Sequence, residues 1–174
     1  ISMRTSDFDY DLPASLIAQT PMEPRDQSRL MVVPKSGGKV SHRHFFDLPD
    51  LVRKGDVLVF NDSKVIPARL YGHRTNSGRE IELLLLEKLS DRTWRALVKP
   101  GRRMTVGADF SVMDRGGVVA MTGRVIAVEE PGTRIVELSD DDGIRFAGVM
   151  PLPPYIHEKL DDPDRYQTVY SRQE

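Results

Sequence analysis

The stretch VIPARLYGHRTNSGREIELLLLE, residues 65–87, decides the fold. Two strand-like runs, 68–73 and 80–87, stand on either side of Asn76-Ser77-Gly78, residues that favour a tight reversal. Taken alone, Leu83 to Leu86 suits a helix as well as a strand; the turn before it and the strand-like segment around Trp94 favour strand. Similar runs follow at 93–98, 110–113, 118–128 and 134–138. The breaks between them are polar or glycine-rich: Ser90-Asp91, Lys99-Pro100-Gly101, Arg115-Gly116-Gly117, Pro131-Gly132 and Asp140-Asp141-Asp142-Gly143. Short, closely spaced strands joined by such turns predict a small antiparallel barrel or sandwich.

Before residue 65 the texture is mixed. Pro13 opens a short helix through Gln19 that Thr20-Pro21 stops. The runs 29–33 (RLMVV) and 57–60 (VLVF) read as buried strands. Ser36-Gly37-Gly38-Lys39 reads as a turn into 40–45, and 46–52 as a helical turn. After residue 149 prolines and charges are too frequent for a core element. The expected architecture is a mixed α/β domain, residues 1–64 and 148–174, with the barrel, 65–147, inserted into it.

The 174 residues suffice for a hydrophobic core, and 39% hydrophobic with 29% charged residues is ordinary globular composition. Cysteine is absent, which excludes disulfides and thiolate metal sites. No apolar run approaches the roughly 20 residues of a membrane span, so a cytoplasmic protein is expected. The net charge of −1 lacks the basic excess of a dedicated nucleic-acid binder; local clusters must supply any contact with RNA. No G-x-G-x-x-G, G-x-x-x-x-G-K-[ST], G-x-S-x-G or H-E-x-x-H occurs.

Asn61-Asp62-Ser63-Lys64 follows the 57–60 run, where α/β folds place ligands; a polar turn explains the same residues. Arg69 suits a carboxylate or phosphate, or simply packs its stem on a strand surface. Lys99, Arg102 and Arg103 crowd one turn and suit a phosphate backbone, or plain solvent. His42 and His44 share a strand face without a third ligand, and no metal site is expected. Met150-Pro151-Leu152-Pro153-Pro154-Tyr155-Ile156 is a stiff extended run whose Tyr155 can stack on a base, or a rigid crossing between domains. The run 164–170 offers Asp164 as a proton carrier and Tyr166, Gln167 and Tyr170 as stacking or hydrogen-bonding groups, or else a polar helix cap.

In content and order, FNDSKVIPARL (60–70), MPLPPYI (150–156) and DRYQTVY (164–170) resemble the S-adenosylmethionine:tRNA ribosyltransferase-isomerase family of queuosine biosynthesis. DFDYDLP (7–13), Leu16-Ile17-Ala18-Gln19, GDVLVF (55–60) and KPGRR (99–103) extend the resemblance over nearly the whole chain. The resemblance implies a two-domain enzyme of the expected kind. It implies transfer of the ribosyl part of S-adenosylmethionine to 7-aminomethyl-7-deazaguanine at the tRNA wobble position, with loss of adenine and methionine, giving epoxyqueuosine. S-adenosylmethionine is then a cosubstrate and tRNA the partner, with a monomer expected. The site residues expected are Asp62, Arg69 and Asp164 for catalysis, and Asn61, Ser63, Lys64, Tyr155, Tyr166, Gln167 and Tyr170 for substrate. Lys99, Arg102 and Arg103 are expected to contact tRNA. Sequences of the family continue past the 164–170 run, so residues completing the site are expected beyond Glu174. The rival reading is a non-catalytic RNA-binding barrel.

Overall fold

The computed structural model describes residues 3–129, 132–158 and 162–172. The chain divides into two compact units, Ile1–Phe60 with Pro153–Asp161, and Asn61–Leu152 with Asp162–Glu174.

The second unit is built on a closed six-stranded antiparallel barrel, as the strand and turn pattern predicts. Its strands are β3 (Arg69–Arg74), β4 (Glu80–Ser90), β5 (Thr93–Lys99), β6 (Asp109–Met113), β7 (Val119–Val128) and β8 (Thr133–Leu138). They close in the order β3-β4-β5-β8-β7-β6, with β6 returning to β3. Leu83 to Leu86 lies inside β4, so the turn signals around it correctly override its helical reading. Alternation sets the core: Leu70, Leu83, Val98, Phe110, Val112 and Val136 point inward and are nearly or wholly buried. Register shifts at Leu85/Glu87 and Val125/Ala127 mark bulges that bend long strands around the closure. Gly72 permits the β3–β6 seam, because a Cβ there would stand 2.0 Å from the Ser111 carbonyl oxygen. Outside, Arg95 bridges Glu87 and Glu129, and Arg124 Nε lies 2.6 Å from Asp109.

The first unit carries β1 (Arg29–Val32) and β2 (Ser41–His44), an antiparallel pair with Arg29 opposite His44 and Val32 opposite Ser41. The rest is short 3-10 turns, at Thr5–Phe8, Ala14–Leu16, Arg25–Gln27 and Phe45–Asp50. Three local expectations are corrected here. The helix expected after Pro13 is a three-residue 3-10 turn, because Pro13 and Pro21 leave too few residues to offset helix nucleation. The 29–33 run is a strand with one face only half-buried; Leu30 and Val32 turn inward while Met31 is exposed. The 57–60 run is no strand: Val57 is 84% and Val59 90% exposed, and no segment among the described residues ladders against it. Apolar character alone does not make a strand where no partner supplies the hydrogen bonds. His42 and His44 lie on exposed β2, and His44 stacks on Phe46 with ring centroids 5.3 Å apart.

Candidate functional site

The chain enters the barrel along residues 64–68 and leaves it through a short helix, α1 (Gly143–Ala147), and the segment 148–150. Entry and exit lie side by side. Arg69 N–H donates to the Val149 carbonyl (3.1 Å) and Val149 N–H to the Arg69 carbonyl (2.8 Å), a bridge that prolongs the β3 edge. The 164–170 run returns to the same place. Gln167, buried, accepts the Val65 N–H through Oε1 (2.8 Å) and donates from Nε2 to the Val65 carbonyl (2.7 Å). One side-chain amide thus satisfies both main-chain groups of a residue 102 positions away.

These three segments and one end of the barrel enclose a cavity of about 670 Å³, within the range of small-molecule sites. Val65, Ile66, Pro67, Ile144, Met150 and Pro163 give it apolar walls. Lys64, Lys88, Arg115 and Arg145 bring cationic groups to it, and Asp141, Asp142 and Asp164 carboxylates.

Its barrel side is organised by Asp141. The Trp94 indole N–H donates to Asp141 Oδ1 (2.8 Å), and Lys88 Nζ lies 2.6 Å from Oδ2. The Arg92 main-chain N–H adds a longer bond (3.3 Å). The Lys88 ammonium also stands 5.8 Å from the centre of the Trp94 ring, within cation–π reach. Burial pulls the Asp141 carboxyl upward, but the bonds from Lys88 and Trp94 prevail and hold it below the ordinary 3.8. The hydrogen bond to Asp141 raises the Lys88 ammonium. Asp140 next door accepts the Gly143 N–H (2.7 Å) and so caps α1.

A carboxyl with a depressed folded pKa adds stability above its unfolded value and loses it as pH falls through the folded one. Asp141→Asn is therefore expected to be less stable than wild type at neutral pH. The two should converge as pH drops through and below 3.8. Urea melts across that range check this, and a gap that persists in acid would remove Asp141 as the charged hub.

The basic turn lies elsewhere on the barrel. Lys99 ends β5 and Gly101–Arg103 forms a 3-10 turn, with Lys99, Arg102 and Arg103 exposed. Trp94, beside the cavity, starts the same strand, so cavity and turn are separated by about 17 Å of extended chain at ~3.3 Å per residue.

A family model described as queuosine biosynthesis protein matches residues 5–174. The chain belongs to that family. An S-adenosylmethionine:tRNA ribosyltransferase-isomerase from Moorella thermoacetica is 52% identical over 177 aligned residues, covering 99% of this chain and 51% of the relative. One from Dehalococcoides mccartyi is 46% identical over 169, covering 97% and 49%. A solved S-adenosylmethionine tRNA ribosyltransferase from Thermotoga maritima is 41% identical, covers 82% of this chain and 48% of its own, and superposes with a TM-score of 0.40. The chain spans about half the length of the curated relatives it matches.

The runs that carry the queuosine-family resemblance meet at the cavity: Lys64 to Pro67 from the first, Met150 from the second, Asp164 and Gln167 from the third. Other residues expected at the site stand apart from its lining. Asn61 Oδ1 accepts the Ser63 N–H (2.9 Å) in a side-chain-closed turn, and the Asp62 carbonyl accepts the Arg172 N–H (2.8 Å). Arg69 Nε lies 3.3 Å from Glu82 Oε1 on the barrel wall, an ion pair whose N–H is not aligned for a hydrogen bond. Tyr166 is half-buried in the 3-10 turn Pro163–Tyr166, and Tyr170 is exposed. Tyr155 belongs to the first unit, where Gln19 Nε2 donates to its carbonyl (3.0 Å) and Gln19 Oε1 accepts the His157 N–H (2.8 Å).

Lys88, Trp94, Asp141, Asp142 and Arg145 escape sequence reasoning. Three successive aspartates before Gly143 read as a turn break, although Asp140 three residues ahead of a helical glycine is a capping signal. Lys88 and Trp94 carry no local signal, since only the β4–β5 pairing sets them opposite each other.

Proposed function

We propose that the protein containing this chain is an S-adenosylmethionine:tRNA ribosyltransferase-isomerase, as its relatives are named, and that the cavity at the barrel end receives part of the reacting substrates. The observation supporting this reading is that all three family runs line one cavity. The apolar walls, Val65 to Pro67 and Ile144, suit the face of a heterocycle. Asp164 is the proposed proton carrier at the cavity rim, with Lys64 and Arg145 as partners for anionic substrate groups. Asp62 and Arg69 act from its margin, and Tyr155, Tyr166 and Tyr170 on substrate brought to it. Lys99, Arg102 and Arg103 hold the tRNA backbone away from the reacting nucleotide. The protein acts as a cytoplasmic monomer.

The reaction needs a base to take the proton made acidic by the sulfonium, an acid to help adenine leave, and the precursor amine held near the sugar carbon. Positioning supplies a large part of such an acceleration. The whole protein is expected to release adenine only when S-adenosylmethionine and tRNA bearing the aminomethyl precursor are both present. Asp164→Asn should lower kcat by about 100-fold, in the range of general acid–base catalysis, with tRNA affinity unchanged. Tight tRNA binding without adenine release would instead favour the non-catalytic RNA-binding barrel.

A further inference from the structure

Arg134 is a charged side chain inside a barrel. It is 7% exposed and shares the inward face of β8 with Val136 and Leu138. A guanidinium cannot shed its proton there, and no carboxylate among the described residues lies within ion-pair distance of it. Its compensation comes from main-chain carbonyls. Nε donates to the Met104 carbonyl (2.6 Å), one terminal nitrogen to the Gly101 carbonyl (2.8 Å) and the other to that of Thr133 (2.8 Å).

Two of those carbonyls bracket Arg102 and Arg103. Pinned at Gly101 and Met104, the turn fixes the points from which both exposed arginines leave the main chain. The Met104 side chain, 1% exposed, anchors the same end in the core. A neutral donor of similar size lacks the fork needed to reach both carbonyls at once. The brace also draws the carbonyl dipoles inward and adds a buried positive charge beneath Lys99, Arg102 and Arg103.

We propose that Arg134 is a positioning residue that holds the 99–104 turn as a preformed cradle for the phosphodiester backbone of RNA. This rests on the reading of the turn as a tRNA contact. The cradle's selectivity is for charge and spacing, not base identity, because it offers only guanidinium and ammonium groups. Preorganisation matters here: two free arginines would each lose rotamer freedom on binding, whereas a pinned turn has already lost most of its own.

The test measures binding of a tRNA transcript to the whole protein over a series of salt concentrations. Arg102→Ala with Arg103→Ala should reduce the slope of log affinity against log salt by between one and two, since each neutralised phosphate contributes about 0.7–0.9. Arg134→Met should reproduce most of that slope change and weaken binding about tenfold, while adding less than about twofold on the doubly substituted background. Arg134→Lys, which keeps the charge but not the fork, should fall between wild type and Arg134→Met, and stands in if Arg134→Met fails to fold. A wild-type slope in the Arg134 variants, or losses that multiply with those of Arg102 and Arg103, would overturn the brace while leaving the turn's role intact. An unchanged slope in the double variant would overturn the RNA reading of the turn, and the brace as a binding device with it.

Discussion

Gly148→Ala is expected to lower the melting temperature by roughly 10 °C and to close the cavity, the cost being about 3 kcal/mol at the upper end of overpacking effects. Gly148 has an ordinary φ of −71°, so the constraint is space and not backbone strain. A Cβ built there stands 2.0 Å from the Pro67 carbonyl oxygen and 2.4 Å from that of Ile144. Both atoms are main chain, and no rotamer change relieves either contact. The Ile144 oxygen already accepts the Gly148 N–H at 2.8 Å, and the next residue pairs with Arg69. Making room therefore means separating the entering and leaving segments that form one wall of the cavity. Gly116→Ala is the control: its nearest contact is a side-chain oxygen of Asp114 at 3.3 Å, so the change should stay within about 0.5 kcal/mol of wild type. A Gly148→Ala protein that melts within a degree or two of wild type would show that these segments do not approach as described.

Gln167→Ala is expected to cost roughly 3 kcal/mol, because it leaves both main-chain groups of Val65 without the amide that serves them, at about 1–3 kcal/mol each. The consequence for chemistry follows from position. Val65 sits between Lys64 and the Ile66–Pro67 wall, and an error of about 1 Å in such a wall is enough to cost ~100-fold in rate. Adenine release should therefore fall about 100-fold even at temperatures where the variant remains folded. Gln167→Glu separates geometry from chemistry: it keeps the size and can accept the Val65 N–H, but an ionised carboxylate cannot donate to the Val65 carbonyl. It should fall between wild type and Gln167→Ala in stability. Amide exchange at Val65 reads the clamp directly, and protection equal to wild type in Gln167→Ala would sink it.

Gln167 also shows how a residue can be found for an incomplete reason. Its place in the 164–170 run marked it as a substrate ligand, and it does line the cavity. Its amide, however, bonds the main chain of Val65 and so locks one family run to another. Gln19 does the same in the first unit, holding Tyr155 and His157. Neither bond has a sequence signature, because their partners are more than a hundred residues away.

The barrel was legible without tertiary information. All six strands were expected within a residue or so of their ends, except β4, which runs three residues further, to Ser90. Period-two alternation and glycine- and asparagine-bearing turns are local properties, and a strand whose inner face is buried must keep its register. The first unit was less legible, because the 57–60 run has strand-like composition but no ladder partner among the described residues. The three family runs were recognisable by order and content. Their meeting was not, because closure of the barrel is what carries residues 64–68 to the side of 148–150.

The sequence by itself therefore determined the six strands, the turns between them, the cationic loop at Lys99 to Arg103 and the family. Tertiary structure alone decided that Asp141 ties Lys88 to Trp94, that Gln167 clamps Val65, and that Arg134 lies under the basic turn. The reason is physical. Strand propensity, alternation and turn chemistry act over a few neighbours, whereas each of these contacts joins groups from 30 to 102 residues apart. Such groups acquire their roles only when the closed sheet brings them within hydrogen-bond reach.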